Sequence, residues 1–406
     1  MHVLAARAET TTVETLRAAS RASANHQPAF RRALLGWYDQ NRRDLPWRRT
    51  RDPYRIWISE IMLQQTRVAA VLEHYRLFLE RFPNVRTLAA ASESAVLAAW
   101  SGLGYYRRAR MLRQCAQKIM AEHRGRFPQT SEVLQTLPGI GRYTAAAIAS
   151  IAFAEPVAVV DGNVERVLQR LAGRSLTAKD TWQRAQSLLS QSRPADFNQA
   201  MMELGAMVCT PRQPKCGTCP LRKWCVTKGE APRTTPPQSQ SRKEIWCTLD
   251  QRDGRIRLVQ RPSNSSLMAG MWELPQGMLA VPGSNHTSAA AAKRRGIAHG
   301  ASREQEAAAK RRKITAHGAS RGFPAKNEEA PKGRKKNLRA HSEARGNSHA
   351  APWRTFRHSI TATDYTVHVI RASVPAAQGK WIAIEKISDV PITGLTRKIL
   401  KAAGVI

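Results

Sequence analysis

Apolar side chains recur at three- and four-residue steps through most of the first 227 residues, which is the spacing of helices that bury one face. Pro, Gly and residues that commonly cap helices separate the periodic segments. One of the longest periodic segments runs from Pro53 to Phe82. Because no stretch there alternates as a strand would, we predict an all-α domain over residues 28–227, preceded by a flexible leader over residues 1–27.

The pattern changes after a Pro-, Ser- and Gln-rich stretch, which predicts a linker over residues 228–243. Residues 244–250 and 255–261 have the composition of two strands and are joined by a short turn, which favours a β-hairpin. Residues 363–372 and 380–387 are further strand candidates, and residues 394–403 predict a closing helix. The fold class is therefore α+β, with a helical domain followed by a smaller domain that contains strands.

The smaller domain is interrupted by residues 284–351, which divide it into residues 244–283 and 352–406. This segment carries many Lys and Arg side chains, few large apolar ones and an imperfect repeat of the form AAAKRR. Such a composition cannot bury enough apolar surface to form a core. We predict a disordered basic insertion.

The charge balance indicates a polyanionic partner. The chain of 406 residues has 65 Lys and Arg against 30 Asp and Glu, a formal net charge of +35. Nucleic acid is the usual partner of so basic a protein. The chain shows no apolar run of membrane-spanning length and no secretory signal, so we expect a soluble monomer with no membrane partner, cytoplasmic if the source is prokaryotic.

Four of the six cysteines are concentrated in one short segment with the spacing C-x6-C-x2-C-x5-C: Cys209, Cys216, Cys219 and Cys225. A disulfide framework is not expected, because a chain of this length buries a large core without such cross-links. The uneven spacing favours an iron–sulfur cluster, whereas zinc sites usually pair two short C-x2-4-C elements. A structural zinc ion remains the alternative.

Two further motifs lie upstream of the cysteines. LPGIGRYTA (137–145) contains a Pro-Gly-x-Gly turn, formed by Pro138, Gly139 and Gly141, that opens a helix and lets backbone amides approach a phosphate. This is the pattern of a helix–hairpin–helix clamp on the DNA backbone, although a plain join between two helices has the same outline. In VVDGNVERVL, Asp161 directly precedes a helix, where an aspartate commonly serves only as a cap.

Together these motifs resemble the helix–hairpin–helix, iron–sulfur DNA glycosylases, and in particular the MutY-type adenine DNA glycosylases. The resemblance is strong from Pro28 to Cys225 and looser beyond. It implies a [4Fe–4S] cluster held by the four cysteines, a place for Asp161 at the reaction centre, and a contact with the DNA substrate for Asn163. The partner it implies is double-stranded DNA that contains adenine opposite 8-oxoguanine or guanine.

Two positions distinguish the adenine glycosylases from their relatives of the endonuclease III type. Those relatives carry a Schiff-base lysine at the seventh place of the LPGxGxx motif, where this chain has Tyr143. Tyrosine cannot form the imine, so no lyase step is expected by that route. Glu60, in WISEIMLQQTRV, matches the adenine glycosylase motif. Because it stands among apolar residues, its pKa should rise and leave it a proton donor near neutral pH.

The resemblance also assigns residues that open the duplex and hold the extruded base. Gln65 is expected to enter the base stack, and Tyr105, in GLGYYRRAR, to wedge beside the lesion. The flipped adenine is expected to be surrounded by four residues: Trp47, Leu63, Val68 and Glu203.

The C-terminal domain resembles the Nudix-like domain that reads 8-oxoguanine. The acidic helix with which Nudix hydrolases bind magnesium is missing after Gly277, so hydrolase activity is not expected. The lesion-reading loop aligns in two ways. One places Ile360, Thr361 and Ala362 in it and makes Thr361 the lesion contact; the other places Phe356, Arg357 and His358 there. We favour the first, since it preserves the length of the following strand.

The sequence thus predicts a monofunctional adenine DNA glycosylase of base excision repair. One alternative is a glycosylase/lyase for oxidised pyrimidines, which Tyr143 argues against. Another is a catalytically silent iron–sulfur protein that binds DNA, which the presence of both Glu60 and Asp161 argues against.

Overall fold

The computed structural model describes residues 27–229, 241–277, 351–360, 363–375 and 377–406. The first of these ranges is helical, as the periodicity predicts. Its helices are α1 (27–41), α2 (Pro53–Leu63), α3 (Val68–Arg81), α4 (Val85–Ala90), α5 (Glu93–Ala99), α6 (Arg107–His123), α7 (Ser131–Leu134), α8 (Arg142–Phe153), α9 (Gly162–Ala172), α10 (Ala178–Leu188) and α11 (Pro194–Met207). None of the helices in the described ranges is long and apolar enough to cross a membrane.

Two apolar clusters organise this helical region. The larger one buries Trp57, Phe78 and Trp100 among α2, α3, α5, α6 and α8. The smaller one is formed by α1, α9 and α11 and buries Leu34 and Leu168 completely. Helix α8 packs on both α2 and α11, so the two clusters adjoin along these helices.

The periodic segment from Pro53 to Phe82 is not one helix. Helix α2 ends at Leu63 and α3 begins at Val68, and between them Gln65 takes a left-handed backbone with φ 55°. No Pro or Gly marks this break, which is why the apolar spacing does not reveal it. The break places the predicted base-stack residue at the tip of a turn.

The strands lie in the C-terminal region. They are β1 (Ser241–Leu249), β2 (Gln251–Arg252), β3 (Arg255–Gln260), β4 (Trp272–Glu273), β5 (Arg354–Ile360), β6 (Thr363–Arg371) and β7 (Lys380–Ala383), followed by α12 (Gly394–Ala402). One sheet has the order β1–β6–β5, and the other has the order β2–β3–β4 with β7 also paired to β3. The closing helix and the strand at 363–372 are confirmed, whereas β5 was not predicted.

The predicted β-hairpin is wrong for its first strand, residues 244–250. Strand β1 pairs in parallel with β6, with Ser241 opposite Thr363, and not with β3. Its apolar side, which includes Cys247 and Leu249, thereby joins a core with side chains of β6. The hairpin with β3 is formed instead by the two-residue β2, across Asp253 and Gly254, whose positive φ angles suit a tight hairpin turn.

The strand predicted at 380–387 is also shorter than expected, because the chain turns into a 3-10 helix at Ile384–Asp389. Strand β1 begins inside the predicted linker. Most of that linker, the predicted leader up to residue 26 and nearly all of the predicted insertion lie outside the described residues. The proposed domain boundaries therefore stay predictions.

The C-terminal region packs directly against the helices. Met271, just before β4, is fully buried in the larger helical cluster. The backbone carbonyl of Ile392 accepts hydrogen bonds from the Ser101 hydroxyl at 2.7 Å and the Tyr106 hydroxyl at 3.3 Å. These contacts hold the loop before α6 against the C-terminal region.

Candidate active site

A cavity of about 640 Å³ opens among α2, α8, α9 and α11. Its volume is in the range of small-molecule sites in proteins. Its lining brings together most of the residues predicted to bind or cleave the base: Trp47, Glu60, Leu63, Gln65, Val68, Tyr143, Asp161, Asn163 and Glu203.

Glu60 lies in α2 and is almost completely buried, with 6% of its surface exposed. Burial raises the pKa of its carboxyl to about 7, and the nearby charge of Asp161 acts in the same direction. The hydrogen bond from Tyr143 opposes this rise without cancelling it. Glu60 can therefore hold a proton near neutral pH, as its apolar neighbours predict.

Tyr143 lies in the first turn of α8 and contacts Glu60 directly. Its hydroxyl donates to Glu60 Oε2 at 2.6 Å and lies 3.6 Å from the sulfur of Met202. Desolvation and the carboxyl of Glu60 raise the pKa of Tyr143 well above its usual value, so the phenol stays protonated. The residue that stands in the place of the lyase lysine is thus a hydrogen-bond partner of the proton donor.

Asp161 is a helix cap and also lines the cavity, and its role in the reaction stays a prediction. It is the N-cap of α9, and its Oδ1 accepts from the backbone N–H of Asn163 at 3.0 Å and of Val164 at 2.7 Å. Its Oδ2 accepts from the Asn163 side chain at 2.9 Å. These donors fix the position of the carboxyl group at the wall of the cavity.

Glu203, in α11, is a second buried carboxyl of the cavity, with 1% of its side chain exposed. Burial alone would raise its pKa, but the hydrogen bonds from Arg43 and Arg48 outweigh burial and lower the pKa to about 2. Each arginine donates to both carboxylate oxygens, at distances between 2.6 and 3.0 Å. Neither arginine is predicted as a site residue from the sequence, although the two lie on either side of Trp47 in the run NRRDLPWRR.

The apolar residues assigned to the cavity differ in exposure. Trp47 is buried and packs edge-on against Tyr75, with 5.3 Å between ring centroids. Leu63 and Val68 are half-buried at the two sides of the α2–α3 turn. All three line the cavity, so they can surround a planar base with apolar contacts.

A separate groove of about 810 Å³ adjoins the same turn. It is lined by Gln65, Tyr105, Pro138 and Gly139 from the helical region, and by the segment 265–269 and the end of β5 from the C-terminal region. Gln65 lines both the groove and the cavity. Tyr105 is 50% exposed there. His358 lines the groove, whereas Thr361 lies outside the described residues.

The Pro-Gly-x-Gly turn joins α7 to α8 in the expected way. Gly139 has φ 76°, and a Cβ at this position would lie 2.7 Å from the Cβ of Met111 in α6. Both the backbone angle and the close approach therefore require glycine here. Gly141 is the exposed N-cap of α8, and a Cβ there would meet nothing within 4 Å. The free backbone N–H groups of this helix start are open to a phosphate.

The four clustered cysteines follow α11, and none of them forms a disulfide bond. Burial raises the pKa of Cys219, and Cys209, Cys216 and Cys225 are close enough to raise it further. Arg170, only 4% exposed, donates to Cys209 Sγ at 3.2 Å and has no carboxylate ion pair within the described part of the chain. A buried guanidinium of this kind fits an anionic thiolate cluster. Among the described residues, no three Cys, His, Asp or Glu side chains are placed to hold a single metal ion.

A chain of hydrogen bonds runs from the cysteine loop to the cavity. Arg166 donates to the Cys209 carbonyl at 2.9 Å and to the Asn163 side-chain oxygen at 2.8 Å. Asn163 in turn donates to Asp161. The loop and the carboxylate are thus joined by ordered side chains of α9.

Comparison with known families agrees with this arrangement. Residues 58–191 match the HhH-GPD superfamily of base excision DNA repair proteins. Residues 209–225, from the first clustered cysteine to the fourth, match the iron–sulfur binding domain of endonuclease III. The helical glycosylase fold is confirmed, and so is the [4Fe–4S] cofactor. The assignment of the individual thiolates as ligands stays a prediction.

Individual relatives give a more specific family assignment than these two domain matches. An adenine DNA glycosylase of Buchnera aphidicola (strain APS) is 39% identical over 243 residues, which cover 58% of this chain and 68% of that protein. The chain belongs to the adenine DNA glycosylase family. The family members from Rattus norvegicus and Homo sapiens are each 41% identical, over 64% and 61% of this chain respectively. The chain spans 63% of the rat protein and 57% of the human one.

Proposed function

We propose that this family member is a monofunctional adenine DNA glycosylase, which removes adenine mispaired with 8-oxoguanine or guanine from duplex DNA. The observation that carries the proposal is the pair formed by Glu60 and Tyr143. A buried carboxyl with a pKa of about 7 shares the cavity with Asp161, and a tyrosine occupies the position where a lyase needs an amine.

In this reaction Glu60 donates its proton to N7 of the extruded adenine. The bond between C1′ and N9 then breaks, and its electron pair leaves with the neutral base. The sugar develops the positive charge of an oxocarbenium ion, which the carboxylate of Asp161 stabilises from the wall of the cavity. Water attacks C1′ and its proton passes to a carboxylate, so that the product is an abasic site. The division of roles parallels that of the two carboxyl groups in glycoside hydrolysis.

The base must leave the duplex before it can enter the cavity. We propose that Gln65 and Tyr105 fill the gap in the base stack and that the turn with Gly139 and Gly141 binds the DNA backbone. Their position along one groove that adjoins the cavity supports this assignment. Trp47, Leu63 and Val68 would then enclose the base, and the Glu203 carboxylate with its arginines would face the polar edge of adenine.

We also propose that the C-terminal region is Nudix-like and reads the base opposite adenine. Its support is that the segment 265–269 and the end of β5 line the groove beside Tyr105. Thr361 directly follows β5 in the sequence, and it stays the lesion contact that the family resemblance implies. The alternative residue His358 faces the groove, and burial, with a smaller effect from Lys398, lowers the pKa of its imidazole. Phe356 is buried in the core of this region.

The test is excision from matched duplexes that carry adenine opposite 8-oxoguanine, guanine, cytosine or thymine. We expect excision of adenine opposite 8-oxoguanine and guanine. The resulting abasic strands should break only after treatment with alkali. Borohydride should trap little covalent complex, and Tyr143→Lys should increase trapping. Strand cleavage without alkali would instead support a glycosylase/lyase, and folded protein that excises nothing would support a silent DNA-binding protein.

The cysteine ligands have a test of their own. The purified protein should contain about four irons per chain, and Cys216→Ser should lower both the iron content and the affinity for DNA. The matched control is Cys115→Ser, since Cys115 is buried in the helical core and lies outside the cysteine loop. Full iron content in Cys216→Ser would remove this residue from the ligand set.

A further inference from the structure

Two short turns carry the residues that we assign to the DNA gap, and both have an unusual backbone. Gln65, between α2 and α3, has φ 55°, and Tyr105, between α5 and α6, has φ 48°. Residues other than glycine are strained in this left-handed conformation, which persists only where surrounding contacts enforce it. Something in the structure must therefore hold each turn.

A single side chain contacts both turns. Arg108 lies in the first turn of α6 and is half-buried. Its Nη1 donates to three carbonyl oxygens at the end of α2, those of Ile61 at 2.7 Å, Met62 at 3.0 Å and Gln64 at 2.6 Å. Its Nη2 donates to the Thr66 hydroxyl at 3.2 Å and to the carbonyls of Leu103 at 3.1 Å and Gly104 at 3.2 Å.

Two of these acceptors have a special position. The carbonyl of Gln64 belongs to the peptide group that contains the nitrogen of Gln65, and the carbonyl of Gly104 belongs to the one that contains the nitrogen of Tyr105. Because φ is the rotation about the bond that follows this nitrogen, fixing the preceding peptide plane restricts where each side chain can point. Arg108 thus grips the plane before each strained residue.

The guanidinium is itself held in place by aromatic rings. Its central carbon lies 5.2 Å from the ring centroid of Trp100 and 5.6 Å from that of Tyr105. Burial lowers the pKa of Arg108 to about 10, which leaves the group charged at neutral pH. No carboxylate forms an ion pair with it among the residues that the structure describes, so its charge acts on carbonyl dipoles and aromatic faces.

We propose that Arg108 is a positioning residue that joins the Gln65 and Tyr105 turns into one pre-arranged unit for opening the duplex. The inference rests on the proposed function, since it assumes that these two residues enter the base stack. Arg108 lines the groove but not the cavity that holds Glu60 and Asp161, and its effect passes through the two turns. Lysine cannot replace it, because one ammonium group with three donors cannot reach acceptors on both sides as a planar fork does.

The test compares Arg108→Lys and Arg108→Ala with Arg113→Lys. Arg113 is a matched control, because it is a half-buried arginine of the same helix that donates to a backbone carbonyl, Ala91, away from both turns. The substrate is a duplex with 8-oxoguanine opposite adenine and with 2-aminopurine beside that adenine. A second duplex has 2′-fluoro-2′-deoxyadenosine in place of the target adenine. This nucleotide can be extruded but its glycosidic bond resists cleavage, so the fluorescence of the neighbouring 2-aminopurine reports extrusion alone.

We expect both Arg108 variants to lower the extruded fraction and the single-turnover excision rate at saturating protein by about tenfold or more. Binding to undamaged duplex and the melting temperature should stay near the wild-type values, and Arg113→Lys should behave as wild type. Extrusion and excision within about twofold of wild type in a folded Arg108→Ala protein would overturn the inference. Loss of the folded state in both Arg108 variants would also overturn it.

A double-mutant comparison separates positioning from a general structural role. In a protein that carries both Gln65→Ala and Tyr105→Ala, Arg108→Lys should have almost no further effect on extrusion or on residual excision, because the groups through which it acts are gone. If Arg108→Lys lowers extrusion and excision in that double variant by the same factor as in the wild type, the inference is contradicted. If the wild type excises no adenine, the proposed function fails; if it excises adenine and the Arg108 variants do so equally well, only this inference fails.

Discussion

Two walls of one cavity each present a buried glutamate, and the two are ionised differently. Glu60, on α2, has a neutral tyrosine as its hydrogen-bond partner and a pKa raised to about 7. Glu203, on α11, has two arginines as partners and a pKa lowered to about 2. Both side chains are less than a tenth exposed, so burial alone does not set their charge.

The difference between the two walls lies in the donors. A phenol stabilises a carboxylate only through one hydrogen bond, which does not compensate for its desolvation. Two guanidinium groups supply charge as well as several hydrogen bonds, and they reverse the effect of burial. One wall therefore keeps a proton available for adenine, while the other keeps a fixed negative charge.

The largest effect should come from removing the proton on the Glu60 wall. Glu60→Gln keeps the size of the side chain but cannot donate a proton, so excision in single-turnover assays should fall by about 10²–10⁴-fold. Duplex binding should change little. Glu73→Gln, an exposed glutamate of α3, is the control and should match the wild type. Excision within a few-fold of wild type in Glu60→Gln would remove Glu60 from the mechanism and with it the contrast between the walls.

The next effect concerns the fixed charge on the other wall. Glu203→Gln leaves Arg43 and Arg48 without their carboxylate, and breaking a buried ion pair from one side costs about 3 kcal/mol of unfolding free energy. Thermal melting should therefore show a clear loss of stability. A melting temperature equal to that of the wild type would show that the arginines find water or another acceptor without cost.

The pH dependence of stability should separate the two walls further. The pKa of Glu60 is about 7 in the folded protein against 4.5 ordinarily, so the stability that its protonated form contributes is complete below pH 4.5 and is lost as pH rises through 7. The Glu60→Gln protein does not suffer this loss. Its advantage over the wild type should grow to about 3 kcal/mol between pH 5 and pH 8.5.

Glu203 should behave in the opposite sense. With a folded pKa of about 2, its contribution is present at all pH values above 4.5 and is lost only as pH falls toward 2. The stability difference between Glu203→Gln and wild type should therefore stay constant from pH 5.5 to pH 8.5. Melting curves of both variants across this range check the pair of predictions, and parallel slopes would show that the two carboxyls titrate alike.

The sequence predicted which residues form this candidate site better than it predicted the hydrogen bonds and charges that surround them. Glu60, Tyr143 and Asp161 stand in recognisable motifs, and the helical periodicity around them is strong. The arginines that ionise Glu203 lie more than 150 positions away in the chain, so only the fold shows the pairing. The fold also reveals the pairing of Arg108 with the turn between α2 and α3, since those acceptors lie more than 40 positions earlier in the chain.

The strand pairing shows a similar limit. The composition of residues 244–250 predicts a strand but contains no information about its partner, and the near neighbour in the chain was the wrong choice. The parallel partner β6 lies beyond the interruption of the C-terminal region. Local pattern therefore predicted most of the elements, while long-range packing decided which of them pair.

The smallest effect should come from adjusting the Glu60 wall without removing its carboxyl. The Tyr143 hydroxyl donates to Glu60 and thereby lowers the pKa that burial has raised. Tyr143→Phe removes this donor, so the carboxyl should stay protonated to higher pH. The alkaline fall of the excision rate should move to higher pH, with only a modest change in the rate at its maximum. Tyr54→Phe is the control, because it removes a buried hydroxyl that donates to the Phe82 carbonyl outside the cavity. A shift of the alkaline fall to lower pH would mean that the tyrosine mainly holds the protonated carboxyl, and the contrast between a neutral and a charged partner would need another cause.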